Sequence, residues 1–443
     1  MNQENLKNNH VHSNMRKVAL TALAGTSIEW YDFFLYGAAA ALIFPTAFFG
    51  EAPPSTALIL SLLTFAAGFI ARPIGGIIFG HFGDKIGRKK TLISALILMG
   101  ISSTLIGLLP TYAMIGVAAP ILLTLLRFAQ GLAIGGQWGG AMLLVTESAP
   151  SNQRGYYGAF AQAGAPIGVI LANLALIITS ALVSEEFFNA WGWRIPFLAS
   201  AVLIVISMYI QLNLEDTKAF KELAVHRNEQ QGDVETVIQR SPIIEAIRKY
   251  PKRIILAAGA FLSVQVTFYI LIAFLLAYGV QSANMARDDM LAAVLIASAI
   301  MVPVQFVFSS YSDRHGRRGI FMLGAVLSGL WAFAIFPLVD TGNFLLIVLA
   351  ITGGLVFLAM MYGPQAAFFT ELFSTEVRYS GATLGYQFGA IIGGAFAPTI
   401  AVKLWTEFDI FWVSVYIAFA ALLTLLSVMA LTETYQSDLN MTQ

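Results

Sequence analysis

The chain is 443 residues long, and 58% of its residues are hydrophobic while only 11% are charged. Because soluble domains are usually about 25% charged, this composition excludes an ordinary water-soluble protein. The 25 Lys and Arg residues balance the 25 Asp and Glu residues, so net charge indicates no nucleic-acid partner and no membrane-surface role. The chain has no cysteine, which excludes disulfides, thiolate metal sites and cysteine catalysis.

The apolar residues occur in long runs, and a run of about 18 or more predicts a membrane span. In chain order the runs predict an all-α polytopic membrane protein with twelve transmembrane helices. These lie near 18–48, 55–80, 90–109, 113–146, 156–183, 191–212, 254–280, 289–311, 319–338, 344–370, 380–404 and 410–432. The predicted domains are an N-terminal tail (1–17), a six-helix bundle (18–212), a linker (213–253), a second six-helix bundle (254–432) and a C-terminal tail (433–443).

Basic residues are distributed unevenly between the two sets of loops. Most of the Lys and Arg residues lie in the N-terminal tail, in the linker and in the loops that follow helices 2, 4, 8 and 10, whereas the opposite loops hold only Arg194, Arg287 and Lys403. The positive-inside rule therefore predicts that both termini and the linker are cytoplasmic. The polar start MNQENLKNNHVHSN lacks the pattern of a removable signal peptide, so we expect the first helix to direct insertion.

Two local repeats relate the two predicted bundles. GDKIGRKK, from Gly83, recurs as SDRHGRRG, from Ser312, and TESAPSNQRG, from Thr146, recurs as TELFSTEVRYSG, from Thr370. Each repeat follows the same helix of its bundle, at an offset close to half the chain length. Two pseudo-symmetric six-helix halves are typical of secondary transporters, whose substrate site lies between the halves near mid-bilayer.

Several motifs occur together in a fixed order. They are EWYDFFLYG from Glu29, ARPIGGIIFGHFGD from Ala71, RFAQGLAIGGQWGGAMLLVTESAP from Arg127 and WGWRIPFL from Trp191, together with the loop GHFGDKIGRKK, which contains Gly83, Asp84, Gly87 and Arg88. The loop resembles the signature of the major facilitator superfamily. The whole set resembles its metabolite:H+ symporter family, whose members transport shikimate, dicarboxylates, citrate, and proline or betaine.

This resemblance implies the major facilitator fold, a monomer in a bacterial inner membrane, and symport of a small metabolite with the proton as coupling ion and no other cofactor. One position departs from the family pattern. Gln137 stands in GGQWGG where the family commonly has glutamate. A neutral amide cannot carry a proton, so no role for an acid at that position transfers to this chain.

Glu29 and Asp32 lie three residues apart within the first apolar run, so both project from one helix face. Ionised acids at this depth cost several kcal/mol unless they are paired or face water, and they usually mark an ion pathway or a proton relay. Apolar surroundings also favour the neutral form of a carboxyl group. We therefore predict that one of the two carries the coupled proton. The alternative is a structural hydrogen bond to a neighbouring helix.

Arg127 is predicted to lie at a similar depth in helix 4. Its planar guanidinium suits bidentate binding of a carboxylate. It can hold an anionic substrate or form an internal ion pair with Glu29 or Asp32, and exchange between the two would couple substrate to protons. Further substrate-binding candidates are Tyr36, Gln137, Trp138, Gln162, Gln265, Tyr269 and Gln365.

The cytoplasmic signature loops are predicted to form a gate. Asp84 and Arg88 can contact a helix end and Glu147, and the second half repeats this set. In the superfamily such loops hold the inward gate shut; the alternative is that their charges only set topology. Arg72 lies nearer the cytoplasmic end of helix 2, where it can snorkel or bind an inner-gate carbonyl, and it is expected to have a structural or gating role. The predicted gating residues are Arg72, Gly83, Asp84, Gly87, Arg88, Glu147, Arg154, Asp313, Gly316, Arg317, Glu371 and Arg378.

Other classes of function fit less well. All five histidines lie in the predicted tail or cytoplasmic loops, and no phosphate-binding glycine-rich loop with its lysine is present, so neither a membrane enzyme nor an ATP-driven pump is expected. The favoured function is H+-coupled uptake of a carboxylate metabolite. H+ antiport, symport of a zwitterion such as proline or betaine, and nutrient sensing remain alternatives.

Overall fold

A computed structural model describes the backbone of residues 3–86, 88–215, 247–373 and 378–435. Side chains are described in the same ranges except at 3–14, 17, 80–86, 88–92, 136–144, 147–148, 210–215 and 378–380. Most of the predicted linker therefore lies outside the described residues.

Each of the twelve predicted spans coincides with a helix. The bounds are α1 Gln3–Leu42, α2 Pro54–Ile86, α3 Arg88–Leu108, α4 Ala118–Ser148, α5 Arg154–Leu182, α6 Arg194–Glu215, α7 Pro251–Gln281, α8 Arg287–His315, α9 Arg317–Val339, α10 Phe344–Glu371, α11 378–407 and α12 Ile410–Ala430. Two helices contain π-helical turns, Ile270–Phe274 in α7 and Ala390–Ala395 in α11. Short helical turns connect the spans at Phe44–Phe49, Tyr112–Ile115, Ser151–Gln153, Glu185–Phe187 and Phe188–Gly192.

Most of these helices are long and apolar enough to cross a membrane. Within the described ranges nine helices meet that requirement, and the bent pair Glu185–Gly192 and Arg194–Tyr209 forms a tenth. The other two of the twelve are α1, which carries Glu29 and Asp32, and α3, whose apolar stretch Ile93–Leu108 is shorter.

Two helix boundaries differ from the predictions. α1 begins at Gln3, inside the predicted tail, so the helix is longer than the apolar run that defined the span. α4 begins at Ala118 rather than near 113, because Tyr112–Ile115 is a separate turn that ends at Gly116. Gly116 has φ +58°, a left-handed conformation that glycine adopts without strain.

The two halves repeat the same packing arrangement. In the first half α1 packs on α5, α2 packs on α4 and α3 packs on α6. In the second half the equivalent pairs are α7 with α11, α8 with α10 and α9 with α12. Between the halves, α5 contacts α8 and α2 contacts α11. These two contacts are equivalent, because α11 corresponds to α5 and α2 corresponds to α8. The fold is therefore pseudo-symmetric, as the sequence repeats predicted.

Glycines allow α2 and α4 to approach closely. A Cβ atom on Gly131 would collide with the carbonyl oxygen of Gly68, and one on Gly135 would collide with that of Arg72. Small residues in such positions let helix backbones touch in a membrane protein. This contact sets the relative position of Arg72 on α2 and Arg127 on α4.

Candidate functional site

A chain of hydrogen bonds joins Asp32 to Arg127. Ser103 Oγ donates to Asp32 Oδ2 at 2.9 Å, Gln130 Nε2 donates to Ser103 Oγ at 2.7 Å, and Arg127 Nη1 donates to Gln130 Oε1 at 3.0 Å. The four side chains come from α1, α3 and α4, and all are buried. Arginine has no acceptor, so the amide oxygen of Gln130 must face Arg127 and its NH2 group must face Ser103. We call these four residues the relay.

The predicted ion pair between Arg127 and an α1 carboxylate is therefore not formed in this conformation. Two neutral side chains separate Arg127 from Asp32, and Asp32 Oδ1 has no hydrogen-bond partner among the described residues. Glu29 lies one helical turn earlier on α1 and is half-buried. Of the two predicted proton carriers, Asp32 is the one in the relay.

Aromatic rings surround the guanidinium of Arg127. Its Cζ lies 4.2 Å from the ring centre of Phe33, 4.3 Å from that of Tyr36 and 4.8 Å from that of Phe65. Desolvated cation–π contacts of this kind contribute about 2 kcal/mol or more. Nε and Nη2 of Arg127 have no hydrogen-bond partner among the described residues.

Arg72 is fully buried beside the same rings. Its Cζ lies 4.3 Å from the ring centre of Phe33, 4.5 Å from that of Phe69 and 5.3 Å from that of Trp30. Its Nε and Nη2 also have no partner among the described residues. Arg72 does not snorkel in this conformation, because three aromatic faces hold the side chain in the interior; its structural or gating role stays a prediction.

A narrow cavity lies between the two halves. The first half contributes Trp30, Phe34 and Ala165, and the second half contributes Val264, Gln265, Phe268, Tyr269, Leu358, Tyr362 and Tyr386. Gln265 Nε2 has no hydrogen-bond partner among the described residues. The cavity is thus an aromatic chamber with amide and hydroxyl groups on its second-half side.

The predicted substrate-binding residues divide into three groups. Gln265 and Tyr269 line the cavity, and Gln365 is buried on α10 one turn from Tyr362, with neither amide atom partnered among the described residues. Gln162 Nε2 instead donates to the backbone of Tyr362 at 3.2 Å. The side chains of Gln137 and Trp138 lie outside the described residues.

The prediction that Tyr36 binds substrate is not supported by its position. Its hydroxyl donates to Thr64 Oγ1 at 2.6 Å, and its ring lies beneath Arg127 rather than in the cavity wall. Tyr36 is fully buried. It therefore supports Arg127 instead of facing a ligand.

The second-half gate residues come together at the predicted cytoplasmic end. Arg317 forms a bidentate pair with Glu371, with Nε–Oε2 3.1 Å and Nη2–Oε1 3.0 Å, and Nη1 donates to Asp313 Oδ1 at 2.6 Å. Glu371 also accepts from Thr434 Oγ1 at 2.8 Å. Gly316 makes the sharp connection between α8 and α9 with φ +102°.

This cluster also contacts the first half. Asp313 accepts hydrogen bonds from the backbone nitrogens of Gly155 and Tyr156, both at 2.8 Å, in the first turn of α5. Arg154 Nη1 lies 4.0 Å from Glu371 Oε1. The halves are thus joined on this side of the cavity. The side chains of Asp84, Arg88, Glu147 and Arg378, and the loop positions Gly83 and Gly87, lie outside the residues that can be examined.

A polar cluster at the opposite end was not predicted from the sequence. Arg287 Nη2 donates to Ser180 Oγ at 2.9 Å, Ser180 Oγ donates to Asp288 Oδ2 at 2.8 Å, and Arg287 Nη1 donates to Asn189 Oδ1 at 3.3 Å. The cluster joins α8 to α5 and the turn that follows it. The halves therefore touch at both ends of α5, with the cavity between.

Sequence reasoning missed Ser103 and Gln130. Gln130 lies one helical turn after Arg127 in RFAQG, so its spacing was a usable signal. Ser103 lies in ISSTL with no feature that separates it from Ser102. Only the packing of α3 against α1 and α4 identifies it.

Comparisons with known proteins agree with this architecture. A family model described as Major Facilitator Superfamily matches residues 22–383. The inner membrane metabolite transport protein YhjE of Escherichia coli K12 is 40% identical over 431 residues, which cover 96% of this chain and 95% of the relative. The shikimate transporter of the same organism is 38% identical over 406 residues, 91% of each chain.

A solved structure shows the same fold at low identity. The proton:xylose symporter XylE of E. coli is 16% identical, with a TM-score of 0.70 over 94% of this chain and 95% of that chain. The predictions of the fold, of a transporter rather than an enzyme, and of an inner-membrane location are confirmed. Because the family model spans most of the sequence and the relatives cover nearly all of it, this chain belongs to the major facilitator superfamily, within the metabolite transporters that its motifs predicted.

Proposed function

We propose that the protein is a proton-coupled symporter that takes up a small organic acid by alternating access. The observation that carries the proposal is the relay, which ties a buried carboxylate on α1 to a buried guanidinium on α4 through two neutral side chains. In this scheme Asp32 carries the proton. Arg127 holds a compensating positive charge near it.

The hydrogen bonds of Ser103 suit both charge states of Asp32. Its hydroxyl has two acceptors within reach, Asp32 Oδ2 at 2.9 Å and the carbonyl oxygen of Met99 at 3.0 Å. When Asp32 is ionised, Ser103 donates to it. When Asp32 is protonated, the acid can donate to Ser103, which turns its own proton to Met99. Both states keep their hydrogen bonds, which is what a group that loads and releases protons in an apolar core requires.

The buried charges favour an anionic cargo. Arg72 and Arg127 are both fully buried, and each keeps two guanidinium nitrogens without partners among the described residues. Burying a guanidinium without a partner costs several kcal/mol, so a carboxylate that enters the site removes an unfavourable state. The aromatic walls of the cavity suit the apolar body of such a metabolite.

Proton flux into proteoliposomes that contain the purified protein tests the proposal, with a pH dye in the external medium. The panel is shikimate, 2-oxoglutarate, citrate, protocatechuate and glycine betaine. We expect one organic acid to alkalinise the outside, and protein-free liposomes to give no signal. Acidification of the outside would indicate H+ antiport, and a response to betaine alone would contradict the organic-acid assignment.

A zwitterion is the second candidate cargo, and the cavity itself favours it. Six aromatic rings line the chamber: Trp30, Phe34, Phe268, Tyr269, Tyr362 and Tyr386. Aromatic enclosures of this kind bind quaternary ammonium groups by cation–π attraction. A betaine would place its ammonium among these rings and its carboxylate toward an arginine.

A further inference from the structure

We infer that Arg72, rather than Arg127, binds the carboxylate of the transported substrate. This inference rests on the proposed function in that the cargo must carry a carboxylate. It assigns different tasks to two arginines that lie against the same ring, that of Phe33.

The residues that cover each arginine distinguish them. The close partners of Arg127 are Phe33, Tyr36, Phe65 and Gln130, all in the first half. Separation of the two halves leaves this set intact. Tyr269 of the second half also packs on Phe65, with ring centres 5.7 Å apart, but the hydrogen bond from Arg127 to Gln130 keeps this guanidinium in the relay when Tyr269 moves away.

Arg72 lies at the boundary between the halves. Trp30, whose ring lies beneath its guanidinium, lines the cavity. Tyr269 of the second half packs on the other rings around Arg72, with ring centres 5.0 Å from Phe69 and 6.2 Å from Phe33. Tyr269 and Tyr386 line the same cavity as Trp30. When the halves part, these tyrosines leave and Arg72 faces the cleft.

Arg72 also has the free hydrogen-bonding capacity that an anchor needs. None of the ion pairs between described residues includes it, and its Nε and Nη2 are without partners there. A carboxylate can accept from two guanidinium nitrogens at once. The neighbouring hydroxyls of Tyr269 and Tyr386 can donate to the same group, because both line the cavity.

Binding at Arg72 links substrate to proton through charge. Arg72 and Arg127 both lie against the ring of Phe33, and the relay joins Arg127 to Asp32. A carboxylate bound at Arg72 adds one negative charge to this buried group of charges. Uptake of a proton by Asp32 restores the net charge of this group. Substrate binding and protonation of Asp32 therefore accompany each other.

Matched ligand pairs test the anchor directly. Binding of shikimate is compared with that of its methyl ester, and binding of glycine betaine with that of choline, by calorimetry on the full-length protein in detergent. Each pair differs in the carboxylate. We expect the wild type to bind the carboxylate-bearing member of one pair about 10- to 100-fold more tightly, since hydrogen bonds to charged groups are worth roughly this factor.

Arg72→Gln should abolish that preference, and Arg72→Lys should keep part of it because the charge remains without the fork. The matched control is Arg194→Gln, which removes another buried arginine, one that donates to Leu109 O at 2.9 Å away from the cavity. It should keep the wild-type preference. Cooperative thermal unfolding confirms that each variant is folded. If Arg72→Gln does not fold, the ligand preference of Arg72→Lys tests the anchor instead.

Two outcomes overturn the inference. One is an unchanged preference in both Arg72 variants; the other is loss of the preference in Arg127→Gln while Arg72→Gln keeps it. The proposed function fails separately. If the betaine pair responds and the shikimate pair does not, the organic-acid cargo is wrong, whereas loss of the betaine preference in Arg72→Gln still supports the anchor.

Discussion

Asp32 and Arg127 are opposite charges in one buried site, yet they are bridged rather than in contact. Ser103 and Gln130 stand between them, with three hydrogen bonds of 2.7 to 3.0 Å. A direct pair would hold Asp32 ionised, because an adjacent cation favours the charged form of a carboxyl group. The neutral bridge weakens that hold and leaves the carboxylate able to accept a proton.

The first prediction concerns Asp32. Asp32→Asn keeps the size of the side chain and removes the titratable proton. We expect that a pH gradient no longer drives accumulation of the substrate inside proteoliposomes. The substrate should only equilibrate between the inside and the outside. Counterflow exchange of the substrate identified in the flux panel should continue, because it needs no net proton movement. Radiolabelled uptake with and without the gradient measures both, and preserved accumulation in Asp32→Asn would exclude Asp32 as the carrier.

The second prediction separates Ser103 from its neighbour. Ser103→Ala removes the donor to Asp32 Oδ2 and the acceptor of Gln130 Nε2, at a cost of about 1–3 kcal/mol for a buried polar group. We therefore expect gradient-driven uptake to fall by roughly tenfold or more. The control is Ser102→Ala, because Ser102 is buried on the same helix and, among the described residues, bonds only to Leu98 O of its own turn. Equal losses in the two variants would show that the relay has no role.

The third prediction concerns the cytoplasmic cluster. Arg317→Gln removes the guanidinium that bonds to both Glu371 and Asp313 in a buried site, where breaking an ion pair costs about 3–5 kcal/mol. We expect a lower unfolding temperature and a shift toward conformations open on this side. Arg314→Gln is the control, because Arg314 is exposed three residues away.

Labelling of a single introduced cysteine measures this conformational shift. The chain has no cysteine of its own, so no other thiol reacts. Ser309→Cys places a thiol at a buried position next to Gly155 and Gly363, between α8, α5 and α10. A membrane-impermeant maleimide added from this side should react faster in the Arg317→Gln background than in the Arg314→Gln background. Identical rates would contradict a gating role for Arg317.

The fourth prediction concerns the contact of α2 with α4. Gly131→Ala drives a methyl group into the backbone of Gly68, and overpacking of this kind costs about 1–3 kcal/mol. The control is Gly319→Ala in α9, where a Cβ meets nothing within 4 Å. Its helical position predicts an unchanged or slightly raised stability. Thermal unfolding in detergent checks both, and a neutral Gly131→Ala would show that the helices can shift apart without loss.

Much of the fold follows from the sequence because a bilayer imposes simple rules. A span must be apolar and long, so the twelve runs predicted the twelve helices, and the repeats from Gly83 and Ser312 predicted the related halves. Helix ends were less predictable. The separate turn Tyr112–Ile115 depends on the backbone of Gly116 and not on hydropathy.

The site was predictable in part. A charged residue in an apolar run is conspicuous, so Asp32 and Arg127 were identified, and the gate residues Asp313, Arg317 and Glu371 were grouped by their motif. The surroundings of Tyr36 and Arg72 could not be predicted. A tyrosine can support an arginine or face a ligand, and depth along one helix does not show which aromatic rings from other helices lie beside a guanidinium.

What the sequence by itself determined is therefore the number of spans, the two related halves and the chemical types buried in them. These depend on residue composition along a single helix and on the cost of charge in an apolar medium. Only the tertiary structure decided that Ser103 rather than Ser102 completes the relay, and that Arg72 packs on Trp30 of the cavity wall while Arg127 bonds to Gln130 in the relay. Such relationships depend on how α1, α2, α3 and α4 face one another and the second half, and contacts between distant segments leave no periodic pattern in a single chain.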